Sequence, residues 1–195
     1  MTRAARRRRN PEETRAALVD SALALLSDGG ANPTAREIAA HAGASERTLY
    51  VHFPTLDDLQ TAAAAVQADR VRARIAEIAP DQPLALRIDA AVAQSAAIYE
   101  LQRHVRAVGL VSAARVPAID ASMAGTESRI RANWARTFAP ELDGPADPGL
   151  LDAIDTVLAW STLFHLAERL HLPDAECTRI QAHLLSAVFA ASAGH

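Results

Sequence analysis

Five side chains that carry charge or form hydrogen bonds lie within one short stretch of the sequence. They are Ser45, Arg47, Thr48, Tyr50 and His52, and they follow an apolar segment that ends at a glycine. A serine at a helix N-terminus favours a phosphate, and an arginine side chain is able to donate two hydrogen bonds to guanine. Three interpretations are open from these residues: a solvated helix face, a catalytic pocket, and a surface that contacts a large anion.

The charge distribution favours the anion-binding interpretation. The chain has a formal net charge of −3, yet residues 1–54 carry eight arginines and six acidic residues, whereas residues 55–195 carry twelve and seventeen. The basic run near the N-terminus consists of Arg6, Arg7, Arg8 and Arg9. Residues 1–10 show no apolar periodicity, so we expect a flexible basic arm that follows phosphates or enters a minor groove. A solvated charged tail is the alternative.

The elements that position these residues are predicted to be helices. Apolar residues recur at helical spacing, and no segment shows the sustained two-residue alternation of a strand. The predicted fold class is therefore all-α, with about nine helices. The predicted helices cover residues 11–27, 34–42, 45–53, 56–79, 84–101, 103–114, 117–139, 148–170 and 174–192. We predict one domain over residues 11–55 and a larger helical domain over residues 56–195.

Two of these helices, at residues 34–42 and 45–53, are short enough to need support from their neighbours. Each has only about two turns, and helices of that length are marginal in water. Thr34 and Glu37 form a capping-box pattern, and Gly43 separates the two helices. Two short helices joined at a steep angle by a glycine turn form a helix-turn-helix, whose second helix lies in the DNA major groove.

The sequence around this unit resembles a known family. Residues 15–60, which include "EIAAHAGASERTLYVHF" and a short proline turn, resemble the DNA-binding domain of the TetR (tetracycline repressor) family of bacterial transcriptional regulators. The resemblance implies a three-helix helix-turn-helix domain followed by a helical ligand-binding and dimerisation domain. It also implies that the last two helices, near residues 148–170 and 174–192, pair with a second subunit.

The resemblance assigns roles to individual positions. It implies DNA contacts by Thr34, Ser45, Arg47, Thr48, Tyr50 and His52, and it places Phe53 inside the domain. Many family members carry a lysine at the start of the fourth helix that contacts a phosphate, whereas this chain has Leu56 there. We expect the arginine arm to compensate for that missing contact.

The larger domain contains aromatic, histidine and methionine residues that are candidates for a ligand pocket. Small-molecule sites are mostly apolar with a few polar groups, and helical spacing of such residues is equally typical of a core. The candidate pocket residues are Tyr99, His104, Met123, Trp134, Phe138, Trp160, Phe164 and His165.

Other classes of site find no support in the sequence. The single cysteine, Cys177, has no partner for an intramolecular disulfide, and the seven histidines form no metal-binding pattern. No serine stands in a nucleophile-elbow motif, so we expect neither an enzyme nor a cofactor or metal. No apolar run approaches the length of about 18 residues that spans a bilayer, which predicts a cytoplasmic protein without a membrane partner.

The function expected from the sequence is that of a dimeric DNA-binding regulator. We expect a repressor that is released from a palindromic double-stranded DNA operator by a small-molecule effector. The alternative is a helical small-molecule-binding or interaction protein that has lost specific DNA recognition, which the acidic net charge and Leu56 favour.

Overall fold

The computed structural model describes residues 10–29, 32–143 and 148–192, and these residues form helices and loops without any β-strand. The predicted arm residues Arg6 to Arg9 lie outside the described residues. The helices are α1 (Pro11–Ser27), α2 (Ala35–His41), α3 (Glu46–His52), α4 (Leu56–Arg72), α5 (Leu84–Ala113), α6 (Pro117–Thr137), α7 (Ala139–Leu142), α8 (Leu150–Leu158), α9 (Trp160–Phe164) and α10 (Asp174–Ser192). A π-helical turn, His165–Arg169, follows α9. The predicted all-α class is confirmed.

The chain divides into two compact units. Unit 1 contains the described residues up to Gln67 together with His104–Ser122, and unit 2 contains Ala68–Arg103 together with the described residues from Met123 onward. This division differs from the predicted boundary between residues 55 and 56. The helices α4, α5 and α6 supply residues to both units, so no single cut in the sequence separates them.

The core of unit 1 is formed by the apolar faces of its short helices and their neighbours. Leu18 of α1, Leu49 of α3 and Leu59 of α4 are fully buried together with Phe53. Val105 of α5 packs against the same cluster. The seven-residue helices α2 and α3 are too short to be stable alone, and their burial against α1 and α4 supplies the missing stability.

The helix predicted over residues 56–79 ends earlier than expected, at Arg72. The alanine-rich continuation favours helix by propensity, but its backbone bonds to side chains instead. The N–H of Ala76 donates to Gln94 Oε1 over 2.6 Å, and Asn133 Nδ2 donates to the carbonyl of Ala76 over 3.3 Å. Ile78 is buried in the core of unit 2. Tertiary contacts therefore override local helix propensity here.

The two helices predicted over residues 84–101 and 103–114 form one helix of 30 residues, α5. No glycine or proline separates the two predicted segments, and Gln102 at the predicted break is buried. The prediction of a break was wrong because nothing in the local sequence interrupts the backbone hydrogen bonds.

The opposite correction applies to the helix predicted over residues 148–170. It is interrupted at Ala159, whose φ of −66° and ψ of 149° are extended. The carbonyl oxygens freed by the break accept hydrogen bonds from side chains. Gln181 Nε2 donates to the carbonyl of Val157 over 2.8 Å, and Ser95 Oγ donates to that of Leu158 over 2.9 Å. The break therefore leaves these buried carbonyl groups satisfied, as the cost of burying unpaired polar groups requires.

The length and hydropathy of the described helices bear on membrane insertion. No single helix among them is long and apolar enough to cross a bilayer. Only the pair made of Leu150–Leu158 and Trp160–Arg169 meets the length and composition criteria together, and it is bent by 43°.

Unit 2 has a core of its own around two aromatic side chains of α6 and its C-terminus. Trp134 and Phe138 are fully buried, and the ring of Phe138 lies 4.9 Å from that of Phe189 of α10. Arg87 of α5 is buried beside this core and donates two hydrogen bonds of 2.6 Å to the carboxylate of Glu141. This bidentate pairing offsets the free-energy cost of burying the Arg87 charge.

Candidate functional site

The predicted capping box at the start of α2 is present in the structure. Thr34 Oγ1 accepts a hydrogen bond from the N–H of Glu37 over 3.3 Å and donates to Glu37 Oε2 over 2.7 Å. The Thr34 N–H also donates to that carboxylate, over 2.8 Å. The hydrogen bond from the Thr34 N–H lowers the pKa of Glu37 most, and the bond from the Thr34 hydroxyl lowers it further. Thr34 is exposed, so its hydroxyl is bound within the cap yet lies at the protein surface.

The turn between α2 and α3 depends on one glycine. Gly43 has a φ of +66°, a left-handed conformation that costs most other residues free energy. The turn is closed by backbone hydrogen bonds from Gly43 to the carbonyl of Ala40 and from Ala44 to that of Ala39. Ala39 is almost fully buried, which allows the two helices to approach closely. The glycine predicted to separate the helices therefore sets the angle of the turn.

Ser45 begins α3 as its N-cap. Its Oγ accepts a hydrogen bond from the N–H of Thr48 over 3.1 Å and lies 2.8 Å from Thr48 Oγ1. Both hydroxyl groups are thus held in one fixed geometry at the first turn of the helix. A capping serine of this kind stabilises a helix by about 1 kcal/mol.

The outer face of α3 presents side chains of different chemistry to solvent. Arg47 is exposed, Tyr50 is 47% exposed, and Val51 is 72% exposed. Val51 was not predicted as a site residue, although an apolar side chain beside two polar ones on a helix surface is a signal that the sequence offered. His52 is half-buried, and Phe53 is buried in the core of unit 1.

Arg15 of α1 was also missed by the sequence analysis. Its guanidinium carbon lies 4.0 Å from the centre of the Phe53 ring, and its Nη1 donates to the carbonyl of His52 over 3.0 Å. The C-terminus of α3 is therefore held to α1 by a cation–π contact and a hydrogen bond. No local pattern links residues this far apart in sequence, so only the fold reveals the contact.

The start of α4 is built around a second capping box. Thr55 donates to Asp58 Oδ2 through its N–H and its hydroxyl, over 2.9 and 2.7 Å, and accepts from the Asp58 N–H over 3.1 Å. Thr55 is thus the cap of α4. Leu56, which stands where many TetR-family members have a lysine, is half-buried against the core of unit 1.

The helices α1 to α4 contain the segment whose sequence matches a family model. The family model described as "Bacterial regulatory proteins, tetR family" matches residues 18–63, from α1 into α4. Residues 18–63 form a TetR-family domain. The resemblance expected from the sequence is confirmed.

Solved structures support the same fold over most of the chain. A tetR-family transcriptional regulator from Streptomyces coelicolor is 22% identical, with a TM-score of 0.71 over 94% of this chain and 83% of the other. A transcriptional regulator from Rhodococcus sp. Rha1 is 22% identical, with a TM-score of 0.69 over 94% and 98%. The multidrug binding protein EbrR, solved with imidazole, is 22% identical, with a TM-score of 0.59 over 87% and 93%. A comparison with curated proteins gives no match.

Outside the TetR-family domain, the structure separates the residues predicted to line a ligand pocket. Trp134 and Phe138 are core residues of unit 2, as described above. His104 belongs to unit 1, where its Nε2 lies 3.3 Å from the position of a Cβ built on Gly29. His165 is exposed, and Met123 is half-buried.

Three of the predicted pocket residues do lie together. The rings of Tyr99 and Trp160 are 6.3 Å apart, and Trp160 stacks on Phe164 at 4.5 Å. The Tyr99 hydroxyl donates to Glu168 over 3.3 Å, and Arg103 pairs with the same carboxylate. Burial is the main cause that raises the pKa of Tyr99, and the charge of Glu168 adds to it. These contacts bind α5 to the segment that follows α8.

The described titratable groups outside the TetR-family domain were candidates for metal ligands. Among residues 10–29, 32–143 and 148–192, no group of three or more His, Cys, Asp or Glu side chains is arranged to hold a metal ion. Cys177 is buried near Tyr99, and burial raises the pKa of its thiol. A thiol that is protonated and buried is a poor nucleophile.

Proposed function

We propose that this protein is a dimeric, ligand-responsive DNA-binding transcription regulator, and that it acts as a repressor released from a palindromic operator by a small molecule. The observation that carries the proposal is the outer face of α3. It presents Arg47, Tyr50 and Val51 to solvent from a helix whose opposite face is buried. In a helix-turn-helix, this second helix enters the major groove.

The chemistry of α3 suits readout of base edges. Arg47 is able to donate two hydrogen bonds to guanine, and the methyl groups of Val51 suit contact with a thymine methyl. Tyr50 and Thr48 supply hydroxyl groups, and we assign contacts with phosphates to Thr34 and His52. The predicted arm of Arg6 to Arg9 would add phosphate contacts, which strengthen binding without selecting sequence.

A dimer is part of the proposal because one α3 reads too few bases. Two copies related by two-fold symmetry would contact half-sites that are one or more helical turns apart. Helix α10 carries exposed apolar surface, including Leu184, next to the exposed His183. The face formed by α8 and α10 is the surface that we assign to the partner copy, in agreement with the family resemblance.

The ligand response rests on a thermodynamic condition. An effector lowers operator affinity only if it binds the DNA-free conformation better than the DNA-bound one. A structural relative, EbrR, is described as a multidrug binding protein and was solved with imidazole. We propose that the effector of this chain is likewise a small molecule. It would bind in the helical region after the TetR-family domain.

Selection of bound sequences from a random DNA pool, followed by titration of the selected operator at two salt concentrations, tests the proposal. Arg47→Ala should weaken operator binding by about 5- to 150-fold, because a bidentate contact to a base contributes about 1–3 kcal/mol. Arg169→Ala, a change at an exposed arginine in unit 2, is the matched control and should leave affinity unchanged. Absence of any saturable, salt-sensitive binding would support the alternative, a helical ligand-binding protein that has lost DNA recognition. The half-buried Leu56 favours that alternative.

A further inference from the structure

Unit 1 contains a cavity that the proposed function does not use. Its volume is about 50 Å³. Its walls come from α1, α2, α4, α5 and α6, and all of its lining residues belong to unit 1. Apolar side chains make up most of the wall, among them Leu26, Ile38, Leu59, Val105, Val108 and Ile119.

One edge of the cavity is polar and internally connected. Ser112 Oγ donates to Gln60 Oε1 over 3.2 Å, and Gln60 Nε2 donates to Asn32 Oδ1 over 3.5 Å. Ser112 is buried, and its hydroxyl oxygen keeps the capacity to accept a hydrogen bond. No lining residue within the described part of the chain carries a charge. A mostly apolar wall with a few convergent polar groups is typical of a small-molecule site.

We propose that this cavity binds an uncharged small molecule that has a branched apolar body and one hydroxyl group. The apolar body would occupy the space between α4 and α5, and the hydroxyl would donate to Ser112 Oγ. A volume of about 50 Å³ holds about four groups the size of a water molecule, which suits a short-chain alcohol. A carboxylate or ammonium group is excluded, since no opposite charge in the wall offsets its desolvation.

None of the residues predicted to bind an effector lines this cavity, although His104 belongs to the same unit. Ile38 and Leu59 line the cavity and also belong to the core on which α3 packs. A bound molecule therefore contacts the residues that fix the helix-turn-helix. Binding itself requires no DNA, so the proposal stands or falls independently of the proposed regulatory function.

Titration of the full-length protein with isobutanol, followed by methyl NMR, tests the proposal. The methyl resonances of Val105, Val108 and Ile119 should shift and saturate, with a Kd of about 1 mM, in the range allowed for a ligand of this size. Isobutyrate, which has the same carbon skeleton and a negative charge, should produce no saturable shift. Failure of isobutanol to shift these methyl groups, or equal binding of isobutyrate, would overturn the proposal.

Matched variants locate the binding. Ala64 lines the cavity, whereas Ala65, the next residue of α4, is exposed. Ala64→Leu should abolish the shifts, and Ala65→Leu should leave them unchanged. Ser112→Ala keeps the space and removes the acceptor, so it should weaken binding about threefold to tenfold, and it provides the decisive test if Ala64→Leu does not fold. Unchanged affinity in Ser112→Ala, or undiminished shifts in a folded Ala64→Leu variant, would contradict the assignment.

Discussion

Arg15 lies over the ring of Phe53, 4.0 Å from its centre, and donates a hydrogen bond to the backbone carbonyl of the preceding residue, His52. The contact joins the first turns of α1 to the last turn of α3, the helix that we assign to the major groove. It closes the C-terminal end of α3, where backbone carbonyl groups otherwise lack partners. Arg15 is thus a positioning residue for the proposed DNA surface.

Replacement of Arg15 by glutamine should destabilise unit 1 and loosen α3. A cation–π contact near the surface contributes about 0.5–1 kcal/mol, and a hydrogen bond contributes about 1 kcal/mol, so the expected loss is about 1–2 kcal/mol. Urea denaturation measures this loss, and hydrogen exchange of the α3 amides measures the loosening. Arg36→Gln, at an exposed arginine of α2, should change neither quantity.

Replacement of Gly43 by alanine should lower stability, whereas the same replacement at Gly125 should raise it. Gly43→Ala should destabilise the protein by about 1–2 kcal/mol, because φ is +66° at this position. Gly125→Ala should stabilise it by about 0.5–1 kcal/mol, since Gly125 is in α6 and an added Cβ meets only Arg129 Nη1 at 3.6 Å. Thermal unfolding of the two variants measures both effects. A loss of stability in both would show that the turn geometry is not the cause.

Two ion pairs differ in geometry and in burial, so their removal should have very different costs. Arg87 binds Glu141 through both Nη atoms and also donates to the carbonyls of Gln82 and Thr137, whereas Arg115 binds Asp57 through Nη1 alone. Arg87→Met leaves the Glu141 carboxylate without its partner in a largely buried place and should cost about 3–5 kcal/mol. Arg115→Met breaks a pair with Asp57 whose side chains are 60% and 42% exposed, and should cost about 0–1 kcal/mol. Denaturant unfolding compares them. Equal losses would mean that burial of Arg87 does not determine its contribution.

The capping box at α2 predicts a dependence of stability on pH. Hydrogen bonds from Thr34 lower the pKa of Glu37 below its ordinary value of 4.5. The folded state therefore favours the carboxylate, and its stabilisation is present above pH 4.5 and lost as the pH falls through the folded-state pKa. The difference in free energy of unfolding between the wild type and Glu37→Gln should shrink as the pH is lowered across this range. In a Thr34→Ala background this pH dependence should be weaker, and an unchanged dependence would contradict the assignment to the cap.

Local chemistry in the sequence was sufficient for much of the TetR-family domain. The caps at Thr34, Ser45 and Thr55 and the turn at Gly43 are formed by residues at most five positions apart, so a short window of sequence contains their causes. The buried position of Phe53 followed from the family resemblance. The roles of the exposed residues on α3 in DNA binding stay predictions.

Contacts between residues distant in sequence decided the rest. Alanine-rich sequence after Arg72 favours helix, yet Gln94 and Asn133 bind its backbone. No proline or glycine at Ala159 indicates the interruption of the helix there. Side-chain hydrogen bonds from Gln181 and Ser95, which belong to two other helices, stabilise it. The contact of Arg15 with the end of α3 depends on which helices become neighbours. The same is true of the cavity beside Ser112. Sequence alone determined where the first helices begin and turn, because the interactions that cap them are local. Tertiary structure decided where helices stop early, break or enclose a cavity. The groups that interact at those places meet only after the chain has folded.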